Sequence, residues 1–230
     1  MYLSFLSYNL LMKDSKKVLV VANGEANSER FLKSLSKKSD FIIGVDGGAG
    51  VLFNYGIKMD VAIGDFDSID KMVFEKIKKS VKILQYPREK DYSDTELAVQ
   101  YAINRGFEDF TLTGMGGKRT DHLLFNLSVL YSLLKRGKKA RICEENEDIY
   151  ITNGMLSVKV NRGNTISIYP FTMRAKVEKT TGLKYLLYNK VITKSKTLTL
   201  SNVALVDKVF VNVSKGVVLL IVEKRVPSSF

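Results

Sequence analysis

Two hydrophobic periods divide this chain. Up to about residue 145, short apolar runs alternate with segments of helical spacing. Lys17-Val-Leu-Val-Val-Ala-Asn-Gly24 is an apolar run closed by glycine, which predicts a buried strand and a turn. Ser28 to Lys38 puts Phe31, Leu32 and Leu35 on one helical face. Phe41-Ile-Ile-Gly-Val-Asp-Gly-Gly-Ala49 predicts a second strand, and Val51 to Tyr55 a short helix. A third strand covers Val61 to Asp65, and a helix with Met72, Val73 and Ile77 inward covers Ile69 to Lys79. Val81 to Tyr86 reads as a strand stopped by Pro87. Ser93 and Glu96 form an S-x-x-E capping box, and Leu97, Ala98 and Tyr101 give the helix that follows its apolar face. A strand at Phe110 to Gly114, a long apolar helix at His122 to Arg136 and a strand at Lys139 to Glu144 complete the alternation.

Beyond residue 145 helical periodicity stops. Short strands are expected at Ile149–Ile151, Leu156–Val160, Thr165–Tyr169, Ala175–Lys179, Leu198–Leu200, Val209–Val213 and Val217–Val222. Turn signals such as Asn153-Gly154 and Ser214-Lys-Gly216 separate them. The expected fold class is therefore α/β. A Rossmann-like, mostly parallel sheet with flanking helices spans 13–146, and an all-β sandwich of jelly-roll type spans 147–230, with a linker near Glu144 to Asp148.

Composition narrows the chemistry. Hydrophobic residues make up 45% and charged residues 26% of the 230 positions, which is globular rather than disordered. One cysteine, Cys143, makes an internal disulfide impossible and fits a reducing compartment, so a cytoplasmic location is expected. With one cysteine and one histidine, any metal must be held by oxygen ligands, which favours Mg2+ or a similar hard ion. No apolar run spans a membrane, and residues 1–12 lack a signal peptide's basic start and cleavage site. Met12 is an alternative natural start, because strand-like patterning begins only at Val18.

The net charge is +12, of which +10 lies in residues 151–230. The basic residues there are scattered through strand-like text and form no dense stripe, so a solvated lysine-rich surface accounts for them better than a nucleic-acid site.

The candidate chemistry sits in the loops after successive strands. Val61-Ala-Ile-Gly-Asp-Phe-Asp-Ser68 ends an apolar strand in two aspartates one residue apart. Were the segment extended, Asp65 and Asp67 would face one side and share a divalent cation; the alternative is a solvated Asx turn. The other loops offer Asn23-Gly24, Asp46-Gly47-Gly48-Ala49, Arg88-Glu-Lys90-Asp91-Tyr-Ser-Asp94 and Gly114-Met-Gly-Gly117-Lys118-Arg119-Thr-Asp121-His122. Taken singly, Asp94 is a favourable charge at a helix start, Arg119 with Asp121 a surface ion pair, and Asp46-Gly-Gly a turn. On one carboxyl edge of a parallel sheet they amount to metal ligands, phosphate partners and glycine backbone, the equipment of phosphoryl transfer.

The motifs Gly44-Val-Asp-Gly-Gly-Ala49, Gly64-Asp-Phe-Asp-Ser68, Lys90-Asp-Tyr-Ser-Asp94 with Glu96-Leu-Ala98, and Gly117-Lys-Arg-Thr-Asp-His122 with Asn126 resemble those of the thiamine pyrophosphokinase family. Thr180-Thr-Gly-Leu-Lys-Tyr185 and Ser201-Asn202 resemble its thiamine-binding β domain. The resemblance runs from about Val18 to Val222. It implies transfer of a diphosphate from ATP to the hydroxyethyl group of thiamine, with Mg2+, by a homodimer whose thiamine pocket lies near the subunit interface. It implies Asp65, Asp67 and Asp94 at the metal and phosphate centre, with Arg119 and Asp121 beside the transferring phosphates. Asn23, Asp46, Gly47, Gly48, Lys90, Asp91, Gly117 and Lys118 would serve the nucleotide, and Ser201, Asn202 and Tyr185 thiamine. Asp94 or Asp121 is the expected proton acceptor, and His122 takes a structural role at its helix start. Three spellings depart from the family: Lys118 stands where a glycine is common, the chain has no tryptophan, and Ser201-Asn202 continues as Val-Ala. Asp65-Phe-Asp67 also resembles the nucleophile motif of haloacid-dehalogenase phosphatases, but that motif belongs near a first strand rather than a third.

Overall fold

The computed structural model describes residues 16–25, 27–117 and 119–224. Residues 1–12, with the alternative start at Met12, and Lys118 lie outside them. The chain divides into two compact units, one of residues 1–129 and 137–139, the other of residues 130–136 and 140–230.

In the first unit, β1 (Lys17–Val21), β2 (Phe41–Val45), β3 (Val61–Gly64), β4 (Lys82–Gln85) and β5 (Asp109–Thr113) lie in the order β5-β1-β2-β3-β4. Each neighbouring pair is parallel. The central strands are buried almost throughout, which is why they read as unbroken apolar runs rather than alternating ones.

The helices are α1 (Glu29–Ser36), α2 (Gly47–Asn54), α3 (Lys71–Lys78), α4 (Asp94–Asn104) and α5 (Thr120–Lys135), which runs from the first unit into residues of the second. Their starts follow local chemistry. Ser28 Oγ accepts the Phe31 N–H at 3.3 Å, Asp70 Oδ1 those of Met72 and Val73 at 2.9 and 3.1 Å, and Ser93 Oγ that of Glu96 at 3.1 Å. The last bond belongs to the capping box read from the sequence. Helix α2 begins at Gly47, four residues before the expected Val51. The glycines concealed this early start, because they carry no periodic signal. They are required there by packing: a Cβ on Gly48 would lie 2.1 Å from the Val21 carbonyl oxygen, and one on Gly47 2.3 Å from the Asn23 side chain.

In the second unit, β6 (Lys139–Cys143), β7 (Glu147–Thr152), β9 (Thr165–Pro170), β14 (Val218–Glu223) and β12 (Asn202–Val203) pair in the order β12-β9-β14-β7-β6. A four-stranded sheet has the order β11-β10-β13-β8, from β8 (Met155–Lys159), β10 (Arg174–Thr181), β11 (Tyr188–Thr193) and β13 (Lys208–Lys215). Side chains of both sheets share one core, with Ile166, Ile168, Val218 and Leu220 from the first and Val158, Val177, Val209 and Val211 from the second. This is the sandwich that the alternating pattern implied. The turn between β6 and β7, where Glu144 N–H donates to the Glu147 carbonyl at 2.8 Å, occupies the segment read as a linker.

Three strand assignments change. Leu198–Leu200 is turn and bend rather than strand, and β11 and β12 were not foreseen. Strand β11 is a sheet edge with Tyr188 to Val191 exposed, so it lacks the alternation that marks a half-buried strand.

Candidate active site

Because β1 to β5 are parallel, the loops that follow them open on one carboxyl edge. Chain order reverses between β5 and β1, and there the loops are joined backbone to backbone. Ala22 N–H donates to Thr113 O, Gly24 N–H to Gly114 O and Glu25 N–H to Gly116 O, at 2.9, 2.8 and 3.0 Å. Two buried side chains support this junction: Asn27 Nδ2 donates to Thr113 Oγ1 at 3.0 Å and Asn126 Nδ2 to the Met115 carbonyl at 2.9 Å. Asn27 was not foreseen, since a lone asparagine before a helix carries no sequence signal.

The acidic loop after β3 is not extended. Gly64 has φ 151° and Phe66 φ 63°, so the alternation that would set Asp65 and Asp67 on one side does not apply. Asp65 Oδ1 instead accepts the Asp67 N–H at 3.1 Å, an Asx-type turn. The exposed Asp67 carboxylate lies 3.6 Å from the Arg88 guanidinium. Between the two aspartates Phe66 is buried, its ring stacked on Phe74 with centroids 4.7 Å apart.

Asp46 joins this loop to its neighbours. Its Oδ1 accepts the N–H groups of Asp65 at 3.0 Å and Phe66 at 3.3 Å. Burial, then the charge of Asp94, and more weakly that of Asp65, push the Asp46 carboxyl up to about 7. Asp94, the first residue of α4, holds an ion pair with Lys90 at 3.0 Å, yet its buried Oδ1 accepts no aligned hydrogen bond. Lys90 also donates to the Pro87 carbonyl at 3.0 Å, so its ammonium is directed to its own loop. Asp91 is exposed beside it.

The donor chemistry here fits a hard divalent cation. Asp65, Asp67 and Asp94 present only carboxylate oxygens on this edge, and the poorly satisfied Asp94 oxygen beside the raised Asp46 carboxyl marks a site short of positive charge. Among the described residues, no three acidic, histidine or cysteine side chains already converge as a ligand cage.

At the start of α5, Arg119 Nε donates to Asp121 Oδ1 at 3.1 Å and Nη2 to Oδ2 at 2.5 Å, a bidentate pair with both partners exposed. Hydrogen bonding from Arg119 holds the Asp121 carboxyl below its ordinary value. Gly117 and His122 are exposed in the same segment, and Asn23 is exposed after β1.

In the second unit, Asn202 is buried. Its Oδ1 accepts the N–H groups of Tyr185 at 3.0 Å and Val203 at 2.8 Å, and its Nδ2 donates to the Tyr185 carbonyl at 2.7 Å. The amide thus ties the Tyr185 loop to β12. Ser201 (φ 56°) and the Tyr185 ring are exposed next to it, with Lys184 Nζ 5.4 Å from the ring centroid. No helix among the described residues is long and apolar enough to cross a membrane.

A parallel sheet with an acidic carboxyl edge, carried by a chain that also folds a β-sandwich, offers the kind of donor set that phosphoryl transfer uses. Residues 32–143 match the thiamin pyrophosphokinase catalytic domain, and residues 154–218 the vitamin B1 binding domain of the same enzyme. Thiamine pyrophosphokinase of Bacillus subtilis (strain 168) is 31% identical over 209 residues, covering 90% of this chain and 98% of the relative. Thiamin pyrophosphokinase 1 of Caenorhabditis elegans is 24% identical over 229 residues, covering 93% and 92%. The crystal structure of the Bacillus subtilis thiamine pyrophosphokinase superposes with a TM-score of 0.81 at 29% identity, covering 92% of this chain and all of that one. The yeast thiamin pyrophosphokinase structure, at 16% identity, shares the fold with a TM-score of 0.77, covering 92% and 87%. This chain belongs to the thiamine pyrophosphokinase family, a family of transferases.

Proposed function

We propose that this chain transfers the terminal diphosphate of ATP to the hydroxyethyl oxygen of thiamine, releasing thiamine diphosphate and AMP. The observation that carries this reading is the joining of Asp46, the Asp65–Asp67 turn and Asp94 on the carboxyl edge of the parallel sheet, in a chain of this family.

The thiamine oxygen attacks the β-phosphorus in line. A new O–P bond forms, the bridge between the α- and β-phosphates breaks, and AMP leaves with the electron pair. Asp65, Asp67 and Asp94 are the residues that would hold Mg2+, which would supply positive charge to the transferring group. Arg119, and Lys118 outside the described residues, supply positive charge to the transferring group. One of the edge carboxylates, Asp94 or Asp121, takes the hydroxyl proton. Asn23, Gly47, Gly48, Lys90, Asp91 and Gly117 form the nucleotide side of the edge.

On the thiamine side, Tyr185 and Ser201 offer exposed contacts, while Asn202 holds the loop that presents them. Only tyrosine or phenylalanine can provide an aromatic platform in a chain without tryptophan. A homodimer with the thiamine pocket near its interface completes the proposal. The test is consumption of ATP in the presence of Mg2+ with and without thiamine. Thiamine-dependent AMP formation supports the reading, and thiamine-independent hydrolysis rejects it.

A further inference from the structure

Asp46 stands at the N-cap position of α2, where a carboxylate ordinarily accepts N–H groups of its own helix. It makes no such bond. Its Oδ1 reaches across to the backbone N–H groups of Asp65 and Phe66, 19 and 20 residues ahead, while its own N–H donates to the Ile63 carbonyl at 3.0 Å. One residue thus grips the end of β3 from both its backbone and its side chain.

Its backbone, at φ 45° and ψ −127°, is unfavourable for a residue with a Cβ. The partner strand is shaped to receive it, because a Cβ on Gly64 would lie 1.8 Å from Asp46 Oδ1. Past that contact the chain turns at Phe66 (φ 63°), which is locked by its buried ring against Phe74. Asp65 then orders Asp67 through its own Oδ1.

We propose that Asp46 is a positioning residue. Its Oδ1 sets the backbone of the Asp65–Asp67 turn and so the presentation of both carboxylates, and it makes no contact of its own with the nucleotide. This refines the sequence-based assignment of Asp46 to nucleotide binding and rests on the reading of Asp65 and Asp67 as carrying the reaction. The role needs an oxygen acceptor and not a charge. An asparagine keeps Oδ1 for the two N–H groups and offers its amide hydrogens to the Asp94 carboxylate.

Asp46→Asn, Asp46→Ala and Gly64→Ala separate the possibilities. Asp46→Asn restores the acceptor and is expected to exceed Asp46→Ala in kcat by at least about tenfold. Asp46→Ala and Gly64→Ala are expected to lose about 100-fold in kcat, with KM for ATP within about threefold, as a displaced catalytic loop does. Loss of activity in Asp46→Asn comparable to that in Asp46→Ala overturns the proposal, because the charge itself would then be needed. So does a raised KM for ATP with kcat preserved, or an Asp46→Ala enzyme of parental activity. If Asp46→Ala fails to fold, Gly64→Ala takes its place in the comparison.

Amide hydrogen exchange at Asp65 and Phe66 reads the positioning without any substrate. Both amides are expected to be protected in the parent and in Asp46→Asn, and to exchange at least about tenfold faster in Asp46→Ala. An unprotected parent contradicts the positioning. A protected parent that makes no thiamine diphosphate contradicts the functional reading instead.

Discussion

Asp65 Oδ1 accepts the backbone N–H of Asp67 at 3.1 Å, so the first carboxylate of the Gly64-Asp-Phe-Asp sequence shapes the turn that presents the second. The two carboxylates are consequently not equivalent. Asp65 is half-buried and committed to the turn, whereas Asp67 is exposed, with one contact 3.6 Å away at Arg88.

Asp67→Asn is expected to leave stability within about 0.5 kcal/mol of the parent, as surface changes do, while removing turnover. Asp65→Asn keeps an oxygen for the Asp67 N–H but loses the charge, and is expected to remain folded and inactive. Asp94→Asn is likewise expected to abolish turnover without unfolding the chain. Denaturant titration alongside an activity assay checks all three. Near-parental rates in any one would remove that residue from the metal and phosphate centre.

The raised Asp46 carboxyl makes stability depend on pH in the absence of metal. Its value rises from 3.8 to about 7 on folding, so the folded state holds this proton more tightly than the unfolded chain. That contribution is complete below about pH 4, declines as pH rises between the two values, and is gone above about pH 7. Asp46→Asn removes this slope. Melting curves of the metal-free proteins from pH 5 to 8 are expected to converge at the acid end and to favour the variant at the alkaline end. Parallel curves would contradict the burial and charge crowding assigned to Asp46.

Arg119 and Asp121 are exposed and paired with each other. An exposed pair contributes little to folding, so Arg119→Ala is expected to leave the melting temperature unmoved. Its loss of phosphate charge is expected to lower kcat by roughly 100-fold. Arg119→Lys keeps the charge but not the planar fork, and is expected to recover only part of the rate. Steady-state kinetics and a thermal melt on both variants check this.

In the β unit, Asn202 and Tyr185 are expected to respond differently. Asn202→Ala removes a buried amide that makes three hydrogen bonds, and is expected to destabilise by about 1–3 kcal/mol. Tyr185→Ala removes an exposed ring and is expected to raise KM for thiamine with stability intact. A stability loss confined to the Tyr185 variant would reverse these roles.

The parallel unit was legible in the sequence because its central strands are buried on both faces and stop at Gly or Asp, and because Ser93 and Glu96 spell out a helix start. What stayed hidden depended on partners distant in sequence. Asp46 finds Asp65 only because β2 and β3 pair, and nothing within its own motif announces that bond. The bonds between Asn202 and Tyr185 stayed hidden because the two lie 17 residues apart. Strand β11 escaped because an exposed edge carries no alternation. Leu198 to Leu200 read as a strand because alternation over three residues cannot be told from an exposed turn.

The most direct measurement is phosphorus NMR of one reaction containing the protein, ATP, Mg2+ and thiamine, with a parallel sample lacking thiamine. Transfer of a diphosphate replaces the three ATP resonances with one for AMP and two for thiamine diphosphate, in equal molar amounts, and leaves the sample without thiamine unchanged. Appearance of ADP with inorganic phosphate, at the same rate in both samples, would contradict it.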